Sequence, residues 1–254
     1  MEDLLTPRQR ELRGRTEEIV QATVAPRAAE VDREAIWPAH SFAALAQADL
    51  MGLQVPTAAG GEGQGLTALT LVTETLARGC SSSALCYGMH CVGTAVIAAK
   101  ATPWQTENFL VPIAQGRHIT TLSLSESGTG SNFYIAETRL TRENDDGFLL
   151  DGTKQFVTNG GHADSYVVST QASPDSVAGE FNCMLVRRDT PGMQWLEPWQ
   201  GLGMRGNSSR GLRLTGTRVP RAHLLGEEGD QIWYVFEVIA PYFLMAMSAT
   251  YLGI

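Results

Sequence analysis

The spacing of apolar residues changes near residue 117, and this change constrains the fold more than any other feature of the sequence. Before it, apolar side chains recur at helical spacing, as they do between Leu66 and Leu76. After it, segments rich in Thr, Val and Leu are separated by turn signals such as Asn159-Gly160, up to about residue 220. This second pattern is typical of an all-β domain of short strands.

The sequence therefore predicts an α+β protein in three parts. We expect an all-helical N-terminal domain over residues 1–117 and an antiparallel, β-barrel-like middle domain over residues 118–228. Helical spacing returns from Ile232 to Phe243, which predicts a final helix within residues 229–254.

Local signals predict where several helices begin or bend. A long helix should run from Arg8 to Glu30 with a kink near Pro26, because proline disrupts the helical hydrogen bonds. Ser41 should cap the next helix, and Thr102 should open a capping box.

Turn signals in the middle part divide the predicted strands. One of them, Asp151-Gly152, should end one strand before the next begins. The strands expected here are Phe148–Asp151, Gln155–Thr158, Tyr166–Thr170 and Met184–Arg187.

Composition excludes several classes of function. The net charge is -8 with no run of Lys or Arg, so nucleic acid is not expected as a partner. The four cysteines show no C-x-x-C spacing, so we expect neither a metal site nor a redox pair.

The N-terminus predicts the compartment. It is acidic and lacks a basic segment followed by an apolar core, so no signal peptide is expected and the chain should be cytoplasmic. The longest apolar run, from Ala84 to Ala99, is broken by His90, which argues against a membrane partner.

The stretch from Thr121 to Asn132 predicts a ligand-binding strand exit. Leu122 and Leu124 alternate with small polar residues, and Ser and Gly then dominate. Such a turn exposes N–H groups and hydroxyls to phosphates and heterocycle edges, although an ordinary strand-to-loop exit has the same appearance. The stretch contains neither the P-loop motif nor G-x-G-x-x-G.

Three motifs carry a resemblance to one protein family. They are Thr121–Asn132, Lys154–Asp164 and Gly201–Ser209. In order and spacing they resemble the acyl-CoA dehydrogenases, whose first two motifs read roughly Leu-Thr-Glu-Pro-x-Ala-Gly-Ser-Asp and Lys-x-Trp-Ile-Thr-Asn-Gly. The resemblance implies that residues 229–254 are the first helix of a truncated C-terminal helical domain.

The resemblance also implies FAD as cofactor and assigns residues to it. The strand exit would meet the polar edge of the flavin ring, and the second motif would pack on one face of the ring. The cofactor-binding residues implied in this way are Leu122, Leu124, Ser125, Gly130, Ser131, Phe156, Val157 and Thr158. Ser131 would also contact the thioester arm of the substrate, and His90 would help to wall the acyl pocket.

Departures from the family pattern leave the catalytic residue unknown. Phe156 stands where the family has Trp, so the indole N–H is lost. The family carries an Asp-x-x-Arg element in this helix, and some branches place their catalytic Glu just before that Arg; these positions fall on Pro241, Phe243 and Leu244, none of which is charged. Glu237 lies on the same helix but off register.

Three functions follow for testing. The first is FAD-dependent α,β-dehydrogenation of an acyl-CoA or other acyl thioester, with the isolated chain inactive because no catalytic base is found. The second is a flavin-dependent monooxygenase of the same fold, and the third is a non-catalytic truncated subunit that completes a partner's site. The large apolar residues of the last helix predict a homo-oligomer, and an electron-transfer flavoprotein is a further candidate partner.

Overall fold

The N-terminal part of the chain is helical. The computed structural model describes residues 4–132, 134–143, 146–172, 180–229 and 231–254. The helices before the first strand are α1 (Pro7–Ile19), α2 (Ala28–Arg33), α3 (Ala39–Gln47), α4 (Leu66–Gly79), α5 (Ser81–Ala99), α6 (Pro103–Gln105) and α7 (Val111–Ala114).

Two of the local helix predictions are confirmed and one is wrong. Pro26 lies in a 3-10 turn, Ala25–Arg27, which together with the π-helical turn Val20–Val24 separates α1 from α2, and Thr102 forms the predicted capping box with Gln105. Ser41 does not cap a helix. It lies inside α3, buried, with its Oγ 2.9 Å from Oγ of Ser83, because the polar side chain has a better partner on α5 than at the helix end.

Helix α5 forms the centre of the larger apolar core. Almost all of its side chains are buried against α4, the first β-strand and the last helix. Gly88 permits the approach of the last helix, since a Cβ at Gly88 would lie 3.2 Å from Cβ of Ala246. The helical part and the last helix therefore pack as one body around α5.

The middle part contains two four-stranded sheets among the described residues. One has the order β1-β4-β5-β8 and the other the order β2-β3-β7-β6. The strands are β1 (Thr120–Ser123), β2 (Arg139–Glu143), β3 (Gly147–Val157), β4 (Ser165–Gln171), β5 (Phe181–Arg187), β6 (Met193–Pro198), β7 (Arg210–Pro220) and β8 (Leu224–Leu225).

Two details of the predicted β domain are wrong. Strands β1 and β4 pair in parallel, because the chain crosses to the other sheet for β2 and β3 before it returns. The turn expected at Asp151-Gly152 is absent from the described chain, and β3 continues through it with an irregular register. A Cβ at Gly152 would lie 2.5 Å from Oγ1 of Thr138, so glycine serves close packing here.

The last part of the chain is a single helical segment. It consists of α8 (Gln231–Tyr234), a π-helical turn (Val235–Ile239) and α9 (Ala240–Gly253). One side packs on α4 and α5, and large apolar side chains on the other side are exposed. Those side chains are Ile232, Trp233, Phe236, Leu244, Tyr251, Leu252 and Ile254.

Two helical segments are long and apolar enough to cross a bilayer. They are Ser81–Ala99, of which most is buried inside the fold, and Ile232–Gly253, of which about a third is. A core helix of a globular protein passes the same test, so the expectation of no membrane partner stays a prediction.

A buried histidine joins α5 to β1. Nδ1 of His90 accepts a hydrogen bond from the Thr120 N–H at 3.2 Å, so Nε2 carries the proton and donates to the Met51 carbonyl at 2.9 Å. A second buried histidine, His118, lies 2.8 Å from Oγ of Ser165. Burial lowers the pKa of each histidine to about 4, from an ordinary value of 6.5.

These histidines predict a loss of stability in mild acid. The unfolded chain binds protons as the pH falls through about 6.5, whereas the folded chain binds them only near pH 4. Their contribution to the free energy of unfolding is therefore complete above about pH 6.5 and is lost as the pH falls toward 4. At about pH 4.5 the loss should be roughly 2 kcal/mol for each histidine. Urea unfolding over this range should show the loss, and His90→Gln should make the dependence shallower. A free energy of unfolding that stays constant would contradict the assignment.

Candidate functional site

A cavity of about 640 Å³ lies where the helical part, the two sheets and the last helix meet. Its lining comes from five places in the chain: α5, the exit of β1, the end of β3, the loop after β6, and the last helix. The lining residues are Leu85, Met89, Leu122, Leu124, Ser125, Gly130, Gln155, Phe156, Thr158, Trp199, Gly203, Met204, Asn207, Ser209, Ile239, Phe243, Met247 and Tyr251.

The polar side of the cavity is built where the β1 exit meets the end of β3. The Gln155 N–H donates to the Ser125 carbonyl at 2.7 Å, which joins the two segments directly. The two segments come from different sheets, since β1 belongs to one and β3 to the other. The meeting depends on this contact between sheets, which places Ser125 and Thr158 on one cavity wall.

A buried ion pair holds the two segments together. Nζ of Lys154 on β3 lies 2.8 Å from Oε1 of Glu126, and both side chains are fully buried. The same ammonium donates to Oγ of Ser169 on β4 at 2.8 Å and to the Leu124 carbonyl at 3.3 Å. One cation therefore ties the β1 exit, β3 and β4 together.

The Glu126 carboxylate is further held by the two residues that precede β2. It accepts hydrogen bonds from the N–H groups of Glu137 and Thr138 and from Oγ1 of Thr138. Burial opposes the charged form, but the Lys154 charge and these donors prevail, so the pKa of Glu126 is lowered. This satisfied carboxylate is structural and is not placed to act as a base.

A backbone irregularity presents Phe156 to the cavity. The β3–β7 register shifts between Lys154 and Val157, and Phe156 takes a φ of +54°. Such a bulge turns a side chain that strand alternation would direct elsewhere. The ring is 58% exposed at the cavity, whereas its neighbours Lys154 and Val157 are buried.

The loop after β6 supplies cavity residues that the sequence reasoning did not assign to the site. Met204 and Ser208 have φ values of +52° and +50°, and the Asn207 carbonyl accepts a hydrogen bond from the Asn159 N–H at 3.1 Å. Strained residues held by specific contacts are frequent at functional sites. The Gly201–Ser209 motif could have indicated that this loop belongs to the site. Trp199 lies just before the motif, and nothing in the sequence indicated it.

The remaining wall is apolar and helical. Leu85 and Met89 of α5 face Ile239, Phe243 and Met247 of the last helix across the cavity. None of the described residues that line the cavity carries a charge. Glu237 is exposed and does not line it, so no carboxylate reaches this space from the described part of the chain.

The structure does not bring every predicted site residue into the cavity. Val157 points into the core between the sheets, and Ser131 is exposed on the loop beyond Gly130. The pocket role predicted for His90 has to be corrected, because both of its ring nitrogens are bonded to backbone groups and its side chain is fully buried away from the lining. The predicted residues that do line the cavity are Leu122, Leu124, Ser125, Gly130, Phe156 and Thr158.

Comparison with known proteins decides the family. The sequence profile of the acyl-CoA dehydrogenase N-terminal domain matches residues 6–117, and that of the acyl-CoA dehydrogenase middle domain matches residues 121–217. The chain belongs to the acyl-CoA dehydrogenase family. The resemblance read from the motifs is thereby confirmed, as is the α+β fold of helices, sheets and a final helix.

Curated acyl-CoA dehydrogenase relatives are distant and longer. Acryloyl-CoA reductase (NADH) of Anaerotignum propionicum is 27% identical over 94% of this chain and 61% of the relative. The mitochondrial short-chain specific acyl-CoA dehydrogenase of Rattus norvegicus is 28% identical over 86% of this chain and 53% of the relative. The chain thus spans less than two thirds of the length of these relatives.

Solved structures share the fold. Butyryl-CoA dehydrogenase from Megasphaera elsdenii superposes with a TM-score of 0.90 at 24% identity, over 98% of this chain and 66% of that one. A glutaryl-CoA dehydrogenase from Mycobacterium smegmatis, in complex with FADH2, has a TM-score of 0.85 at 23% identity, over 100% and 63%. Members of the family therefore bind FAD.

The cavity fits the ring system of such a flavin. An isoalloxazine ring is planar, with one edge rich in hydrogen-bonding atoms and one apolar edge. The cavity offers the hydroxyls of Ser125 and Thr158 and the amide of Gln155 on one side, and Phe156 and Trp199 as aromatic surfaces. Its volume lies in the range of small-molecule sites, about 300–1,000 Å³.

The strain at Phe156 gives a prediction. A left-handed backbone disfavours any residue with a Cβ by about 1–2 kcal/mol relative to glycine. We therefore expect Phe156→Gly to be more stable than Phe156→Ala by about 1 kcal/mol in urea unfolding. The backbone of Gln155 is not in the left-handed conformation, so there the alanine variant should be more stable than the glycine variant. The same order at both positions would contradict the assignment of strain to Phe156.

Proposed function

We propose that this chain is the flavin- and substrate-binding portion of an oxidoreductase that dehydrogenates an acyl thioester between its α and β carbons. The observation that carries the proposal is the single cavity that joins a polar, aromatic wall on the sheets to an apolar wall on the helices. The first wall suits a flavin ring and the second an acyl chain. The relatives named above act on CoA thioesters, which supports this substrate class.

Each wall has a distinct task in this proposal. FAD, when bound, supplies the hydride acceptor. Ser125, Gln155 and Thr158 orient the polar edge of the ring with hydrogen bonds. Met89, Phe243 and Met247 pack around the acyl chain and exclude water, and the flexible methionines adapt to its shape.

Removal of the α-proton needs a base that the described cavity lining does not contain. A carboxylate must lie within hydrogen-bond reach of the proton that it takes. Because the chain spans about three fifths of its longer curated relatives, we propose that the base comes from a further C-terminal domain or from a partner chain. The exposed apolar side of the last helix supports the presence of such a neighbour.

Two alternatives remain distinguishable. A flavin-dependent monooxygenase of this fold would also lack a base, but its reduced flavin would be reoxidised rapidly by air. A non-catalytic subunit would bind a catalytic chain without turning over substrate itself.

We also propose that the protein acts in the cytoplasm and that an electron-transfer flavoprotein accepts its electrons.

The proposal predicts a division between binding and activity. Residues 1–254 alone should bind FAD weakly, with a dissociation constant of roughly 10 µM or higher, because half a site makes too few contacts to offset the lost freedom of the ligand. They should not oxidise acyl-CoA. The same residues joined to a complete C-terminal helical domain should bind FAD firmly. Flavin absorbance during anaerobic mixing with acyl-CoAs measures both properties, and an isolated chain that holds stoichiometric FAD and bleaches with acyl-CoA would contradict the proposal.

The uncharged lining predicts which acyl chains are accepted. A carboxylate at the end of the acyl chain would have no cationic side chain to pair with among the described residues that line this cavity. An unpaired buried charge is strongly disfavoured. In the joined protein we expect butyryl-CoA to bleach the flavin at least about 10-fold faster than glutaryl-CoA, equivalent to about 1.4 kcal/mol. Equal rates would show that the acyl chain lies elsewhere.

A further inference from the structure

Trp199 is an aromatic residue of the cavity that lies outside the three family motifs. It is 49% exposed, directly follows β6 and lines the main cavity. It also lines a second cavity of about 550 Å³ on its other side, so its indole stands between the two spaces. A large apolar side chain in this position is available to a ligand in the main cavity.

The backbone of Trp199 is anchored, and its ring lies close to a glycine. The backbone N–H of Trp199 donates to the Ser209 carbonyl at 2.8 Å, which anchors the start of the loop to the segment entering β7. The ring folds over Gly201, where an added Cβ would lie 2.1 Å from Cζ3 of the indole. Any residue other than glycine at this position would displace the ring.

Trp199 and Phe156 form one aromatic corner. Their ring centroids are 6.2 Å apart and the planes are nearly perpendicular, at 86°. Such edge-to-face contact is a favoured geometry for aromatic pairs. Phe156 is held by the strained end of β3 and Trp199 by the loop after β6, so two separate elements build the corner.

We propose that Trp199 is a flavin-binding residue, whose indole forms with Phe156 the aromatic corner that holds the isoalloxazine ring. The inference rests on the proposed function, since it takes the main cavity to be the flavin site. Phe156 alone offers a smaller surface than an indole, and Trp199 enlarges the surface from a different part of the chain. No bond is made or broken in this role, which is one of stacking and orientation.

The test uses tryptophan fluorescence, because an indole in contact with a flavin is quenched. The purified chain is titrated with FAD and with lumiflavin, which carries the ring alone. Ultrafiltration measures flavin binding independently of fluorescence. We expect both ligands to bind with quenching in the unchanged chain, and Trp199→Phe to remove most of the quenching. Trp199→Ala should weaken binding by about 2- to 10-fold, the range expected for one aromatic contact.

Two further variants separate contact from general damage. Trp104→Phe is the matched control, since Trp104 is similarly exposed at 39% but packs on Phe109 and His223, away from the cavity. It should retain both quenching and affinity. Gly201→Ala keeps Trp199 but displaces its ring, so it should lose the quenching while the other four tryptophans still emit.

The outcomes distinguish this inference from the proposed function. Flavin binding with quenching that survives in Trp199→Phe would overturn the role of Trp199 and leave the flavin site intact. Binding of FAD but not of lumiflavin, with no change in Trp199→Ala, would also overturn it, because the ring would then not be the part that is held. No flavin binding at any concentration would overturn both.

Discussion

The buried ion pair between Lys154 and Glu126 is the interaction on which the rest of the site depends. An ammonium and a carboxylate are costly to bury, and they are tolerated only when both are paired and hydrogen-bonded. Both conditions hold here, because the Lys154 ammonium also contacts Ser169 and the Leu124 carbonyl. The pair therefore requires the β1 exit, β3 and β4 to take one relative position.

That position determines where the cavity forms. With Leu124 held beside β3, the Gln155 N–H reaches the Ser125 carbonyl, and the β3 bulge presents Phe156 to the same space. Helix α5 packs directly on β1, and the last helix packs on α5, so the apolar wall is placed against the polar one. The cavity is thus a consequence of packing between parts that are far apart in sequence.

The sequence was sufficient for the features that depend on local chemistry. Helical spacing and proline placed the helices, and the Gly-rich exit after Leu122 and Leu124 pointed to the polar wall of the cavity. The sequence was insufficient where the structure depends on contacts between residues that are far apart in the chain. The parallel pairing of β1 with β4 depends on a crossover between sheets, and Ser41 lies inside a helix because Ser83 offers a partner.

The site itself shows the same division between local and distant causes. Phe156 and Thr158 were predicted from their motif. Trp199 lines the cavity because of the loop after β6 and the close approach of its ring to Gly201, and only the fold shows these contacts. His90 was predicted to line the pocket because its helix does, but its side chain is hydrogen-bonded to the backbone of Met51 and Thr120 instead. Periodicity identifies a buried helix and does not identify which neighbour each side chain meets.

Amide hydrogen exchange in Glu126→Gln tests the central role of the ion pair most directly. The amides to follow are Thr138, which donates to Glu126, and Gln155, which donates to Ser125. Loss of the charge leaves Lys154 buried and unpaired, so these amides should exchange much faster than in the unchanged chain, relative to Val167 and Leu185 in the β4–β5 ladder. Glu228→Gln removes an exposed ion pair with Arg142 and should leave the exchange of Thr138 and Gln155, relative to Val167 and Leu185, unchanged. Unaltered protection of Thr138 and Gln155 in Glu126→Gln would contradict the account.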